Sequence, residues 1–249
     1  MTKEEAETTL KDYLEKGILA ESFWAEEARE MTFAIGRNSQ VINARKMGSL
    51  FGRLQEIFSD RETLCVAKLF DRPSKKYPTR SIPAVLNLIK EHAAILDVPG
   101  RPHLEALLGK NGFIDSDKKT NEELIKDVVL FYESIIPHPD KKVGCALSAS
   151  LDAIFQSRDK VQAHNEAVLP EDRILPKWSD SKNLVEFSKQ FAEFILYGFF
   201  GIVGGSAALV PERNASSLEL LLGVLGLTTD EFNEKYGFMV TDMKERLAQ

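Results

Sequence analysis

Apolar residues recur along most of the chain with the spacing of one helix face. Met47, Leu50, Phe51, Leu54, Ile57 and Phe58 follow the i, i+3, i+4, i+7 rule, which predicts an amphipathic helix. The same periodicity predicts helices over Phe23 to Ile35 and Arg61 to Phe70. DRPSKKYPTRSIP (71–83) interrupts it with three prolines among basic residues and reads as a loop. A helix then runs from about Pro83 to Leu96, and VPGRP (98–102) breaks it. HLEALLG is a short helical piece, and Asn121 to Ser134 a longer one that IPHPDKK (136–142) ends. The next helix spans about 143–167 and closes at LPEDRILP (169–176). Another covers Leu184 to Phe200. The tail offers SSLELLLGVLG and TTDEFNEKYGF, with Thr228 and Glu231 at capping-box spacing. Strand-like alternation, internal repeats and low-complexity tracts are missing from the pattern. The expected class is all-α, with short connections and mostly antiparallel neighbours. The expected division is a helical domain over 1–176 and C-terminal helices over 177–249 packed on it. Loose boundaries fall near 169–176 or 211–214.

One apolar stretch raises a different prospect. QFAEFILYGFFGIVGGSAALV (190–210) has Glu193 as its only charge and approaches the length of a membrane span. Its four glycines break the hydrophobicity, and no basic cluster flanks it. It reads as a buried helix followed by a Gly-rich turn, with no membrane partner. The start, MTKEEAETTLKDYLEKG, lacks the apolar core of a signal peptide, so the expected location is cytoplasmic.

Composition sharpens this little, except through charge. The formal net charge is −6, whereas a non-specific nucleic-acid binder carries a basic surplus to neutralise phosphates. Any nucleic-acid role must use a local basic groove. Cys65 and Cys145 lie far apart and outside any Cys-x-x-Cys pair, so they read as small hydrophobes. No metal-ligand cluster, Gly-rich phosphate loop or Ser-His-Asp arrangement stands out, and no metal or cofactor is expected. His92, His103 and His138 are scattered, the last in a Pro-His-Pro loop.

The helix over 143–167 contains SRDKVQAH (157–164). Arg158 and His164 are six positions apart, which is roughly 120° of rotation on a helix, so each lies on its own stripe. Arg158 aligns with Leu147, Leu151, Ile154 and Val161, a core stripe. A charge there must be paired or open onto a polar groove. His164 aligns with Ala146, Ser150, Ala153 and Ser157, small residues that let a second helix approach closely. Two copies of this helix across a two-fold axis would satisfy that stripe. The spacing alone leaves solvated or structural roles open for both residues.

The run Arg158-Asp159-Lys160-Val161-Gln162-Ala163-His164 resembles the signature of the HEPN superfamily, an Arg and a His a few residues apart with a polar residue after the Arg. LCVAKLFDRPSKKYPTRSIPAVLNLI (64–89) resembles its abortive-infection U-type branch, where a helix ending in a Leu-Phe-Asp turn leads to a Ser-Ile-Pro helix start. The resemblance covers about residues 20–170. It implies an antiparallel helical bundle of the HEPN type, here with additional C-terminal helices, that forms a homodimer through the motif helix. It also implies metal-independent endoribonuclease activity at a composite site, in a toxin or phage-defence effector paired with an antitoxin protein. Carried over, Arg158 would stabilise phosphate charge in the transition state and His164 would be the general acid/base. Asp159 would orient the pair, and Lys160 would help to hold phosphate. Arg72, Lys75, Lys76 and Arg80 would supply the basic approach to RNA, although a solvated-loop role suits them better. Some members carry a tyrosine two places after the His; here Asn165 and Glu166 follow it.

The acidic balance keeps a second expectation in view, a non-catalytic HEPN-like binding or dimerisation module. A third, a helix-turn-helix in SSLELLLGVLGLTTDEFNEKYG, meets an obstacle. Its would-be recognition helix opens with Asp230, Glu231 and Glu234, which would repel duplex phosphates.

Overall fold

Every regular element among the described residues of the computed structural model is a helix, so the class is all-α. The structure describes residues 1–74, 76, 78–113, 119–136, 147–159, 176–202 and 217–247.

The charged N-terminal stretch is helical. α1 (Lys3–Asp12) passes through a π-helical segment (Tyr13–Leu19) into α2 (Ala20–Arg37). Thr2 and Glu5 start it with a capping box, each side chain accepting from the other's backbone N–H. Its core stripe is Ala6, Leu10, Leu14 and Ile18, all fully buried. That spacing of four drifts around an α-helix of 3.6 residues per turn, and the wider π winding pulls it back onto one face. Gly17 lies in the π segment with the Arg80 backbone against it, where a Cβ would stand.

After α3 (Ser39–Ala44), α4 runs unbroken over Gly48–Phe70. The two helices expected at 47–58 and 61–70 are one, because neither Pro nor Gly stands between them. The loop then leads to α5 (Ile82–Glu91), whose Ser81 N-cap accepts from the Ala84 N–H at 3.4 Å. α5 stops short of Leu96, at His92. α6 (Arg101–Lys110) follows the tight turn at Gly100, whose N–H donates to the Gly198 carbonyl at 2.9 Å. α7 (Asn121–Ile135) opens with a Thr120–Glu123 capping box. α8 (Ser148–Gln156) carries the first part of the motif helix, with π-type winding over residues 157–159. α9 (Trp178–Phe200) begins six residues before its expected start and ends at Gly201, φ 65°. No helix among the described residues is long and apolar enough to cross a membrane.

The chain forms two compact units. The first comprises residues 1–23 and 63–209, the second residues 24–62 and 210–249. Neither boundary falls at 176/177: α9 belongs to the first unit, α10 (Ser217–Val224) and α11 (Asp230–Leu247) to the second. Tyr132 anchors the first unit's core among the rings of Phe131, Phe187, Phe191 and Phe194, and burial pushes its hydroxyl pKa up. The second unit is built on Ala34, Ile35, Ile42, Phe51, Leu218, Leu222 and Leu227. There Gly226, φ 67°, turns the chain between α10 and α11. The residue capping α11 is Thr229, which accepts from the Phe232 N–H at 3.3 Å; Thr228 instead bonds Asn233 at 2.7 Å.

Candidate functional site

The site assembles in the first unit, where the C-terminal end of α4 meets that of α8. α4 ends in Leu69, Phe70 and Asp71. The first two are buried, and Asp71 turns the chain into the loop. Ser81, at the far end of that loop, donates its hydroxyl to the Asp71 carbonyl while it caps α5. Thr79 Oγ1 lies 3.1 Å from the same hydroxyl. The loop's two ends are therefore tied together, and the direction of Asp71 is set by α5 as well as α4.

Arg158 meets Asp71 from α8. Leu151 and Ile154 on its stripe are buried, which draws the arginine against the body of the unit. Its Nη1 donates to Asp71 Oδ1, and its Nε donates to Asp159 Oδ1 at 2.6 Å. Its Cζ stands 4.8 Å from the ring centroid of Phe155. The Arg158 side chain is 25% exposed, half-way between core and surface. Burial opposes its charge, and the hydrogen bonds to Asp159 and Asp71 more than offset this, so its pKa is raised. A charge on a core stripe thus takes the paired solution. Nη2 donates to no described residue.

The described part of the small-residue stripe is used within the chain. Ala153 and Ser157 are buried, and Ser150 Oγ donates to Asp180 Oδ1 of α9 at 2.9 Å. The exposed side of α8 carries Ala149 and Asp152 instead.

The basic loop residues have different fates. Arg80 is tied to Asp12, Nε to Oδ2 at 2.7 Å, and its backbone rests on Gly17. Lys16 also pairs with Asp12, at 3.0 Å. These two cations hold the Asp12 carboxyl below its usual range, Lys16 first. Arg72 is exposed beside Asp71 and makes no ion pair among the described residues; Lys76 is exposed too. Lys75, Lys160 and His164 lie outside the described residues, as do His138 and Cys145. Of the proposed catalytic residues, the structure therefore describes Arg158 and Asp159 and joins them directly.

Asp71 is the residue that sequence reasoning passed over. Its signal was available: it ends the Leu-Phe-Asp turn already singled out, and Arg158 on a core stripe demanded an acid. What the sequence did not show was that the two stretches meet. Among the described residues no group of three His, Cys, Asp or Glu side chains could hold a metal ion. Cys65 is buried and not in a disulfide.

Comparison with known proteins found no matching family model, curated protein or solved structure.

Proposed function

We propose that the chain is a metal-independent endoribonuclease of the HEPN type, acting as a homodimer in a toxin or phage-defence role. The observation that carries this reading is the contact between Arg158 and Asp71. One residue from each of two stretches that resemble the same superfamily, the two residues 87 positions apart in sequence, come together on one ion pair. A half-buried arginine whose Nη2 donates to no described residue suits charge developing on a phosphate. His164, five residues beyond Asp159, would act on the ribose 2′-hydroxyl or the leaving 5′-oxygen. Arg72, Lys75 and Lys76 would line the approach of RNA, with Arg80 pinning the loop that bears them. Pairing through the motif helix would use the exposed side of α8, at Ala149 and Asp152, because Ser150, Ala153 and Ser157 of its small-residue stripe are already engaged within the chain.

A second reading is favoured by a specific observation. Arg158 faces two carboxylates, so the cluster carries more negative than positive charge before any RNA arrives. A non-catalytic binding or dimerisation module would tolerate that arrangement without further help.

The deciding experiment incubates wild type and His164→Ala with total cellular RNA in EDTA, after both are checked for dimerisation. Cleavage by wild type that is absent from a mutant dimer supports the ribonuclease. Two dimers that leave RNA intact support the module.

A further inference from the structure

An arginine side chain that swings on four torsions is a poor electrostatic catalyst unless something fixes its plane. Asp159 alone cannot do so. It is the next residue on the same helix, so its bond to Nε moves with the backbone that carries Arg158. Asp71 comes from a different element and grips a different nitrogen, Nη1. Anchors on two nitrogens stop rotation about either one, and the remaining nitrogen, Nη2, donates to no described residue. Asp71 is itself braced, because its carbonyl accepts the Ser81 hydroxyl at the start of α5. Ser81 is fully buried, so the brace sits inside the unit and away from solvent.

We propose that Asp71 is a positioning residue for Arg158, holding the guanidinium so that Nη2 meets a non-bridging oxygen of an RNA phosphodiester. The inference rests on the ribonuclease reading for its substrate. The geometry of the grip stands apart from that reading, which lets the two be tested separately. Asp71→Asn keeps an oxygen that can accept from Nη1 and removes the charge. Asp71→Ala removes both.

The test pairs a spectroscopic reading of Arg158 with kinetics on a mixed-sequence single-stranded RNA oligonucleotide in EDTA. In wild type, a locked guanidinium gives separate nitrogen resonances for Nη1 and Nη2, assigned by their loss in Arg158→Lys. These collapse to one in Asp71→Ala and stay separate in Asp71→Asn. For the RNA, kcat falls in Asp71→Ala by up to about a hundredfold, KM changes by a few-fold at most, and Asp71→Asn recovers most of the loss. A general structural defect would not give rescue by the amide together with a kcat-specific loss. Identical guanidinium signals in wild type and Asp71→Ala would overturn the proposal. So would a collapse of those signals with kcat unchanged. If wild type itself leaves the RNA intact, the ribonuclease reading fails, and with it the assignment of Nη2 to a phosphodiester. The signals of the Asp71 variants then decide the grip alone.

Discussion

Two arginines, one in each compact unit, solve the same problem differently. In the second unit Arg37 closes its fork on a single acid. Nε and Nη2 reach Glu219 Oε1 at 2.9 and 2.6 Å, and the Glu219 side chain is only 10% exposed. Glu30 stands farther off, at 3.9 Å. The fork joins α2 to α10 where Ile35, Leu218 and Leu222 pack, with the half-exposed Arg37 covering the buried carboxylate at the edge of that core. In the first unit Arg158 divides its donors between two acids that are both well exposed, Asp71 at 31% and Asp159 at 50%. Each arginine leaves one terminal nitrogen without a described partner, Nη1 in Arg37 and Nη2 in Arg158. What differs is the acid: one buried carboxylate for Arg37, two accessible ones on different elements for Arg158. Pairing by itself does not distinguish the two arrangements. The number of partners and their burial do.

The comparison breaks or holds on a graded set of variants. On the ribonuclease reading, Arg158→Ala should lower RNA cleavage by about 10²–10³-fold, the usual cost of losing one donor to transition-state charge. It should change stability by about 1 kcal/mol or less, because its partners can be resolvated. Denaturant unfolding beside an initial-rate assay checks both halves. Arg37→Ala should do the reverse. On that reading cleavage stays the same, and stability falls by about 1–3 kcal/mol because a buried carboxylate loses the Arg37 fork. A drop in cleavage at unchanged stability in Arg37→Ala would erase the distinction. Ser81→Ala should cost about 1 kcal/mol as a lost helix cap. It should also slacken Asp71, which the Arg158 nitrogen resonances would report.

The smallest expected effect is on pH. The Glu123 carboxyl is held below its ordinary value of 4.5, first by the backbone N–H of Thr120 and then by its hydroxyl. A depressed folded pKa means stability that is complete above 4.5 and lost as pH falls through the lower folded value. The protection of amides at the start of α7, corrected for their intrinsic exchange rates, should therefore fall on acidification before global unfolding.

How much of this was legible beforehand differs by region. The amphipathic stretch from Met47 was read correctly as helical, yet its union with the next helix was not, since periodicity carries no mark for a join. The N-terminal helix was hidden because its stripe runs every four residues and its other faces are charged. Arg158 could be recognised as a core-stripe charge in need of a partner. Its choice of Asp71 could not, because that choice depends on how α4 and α8 come together.

The sequence by itself determined the helical class, the polar breaks and the demand that Arg158 be paired. These follow from local preference and from the cost of burying an unpaired charge, which act wherever the residue sits. Only the tertiary structure decided which acid meets that demand, which face of α8 is already filled, and which units the helices join. Those outcomes depend on packing between segments remote in the chain, and no single stretch encodes the position of its distant neighbour.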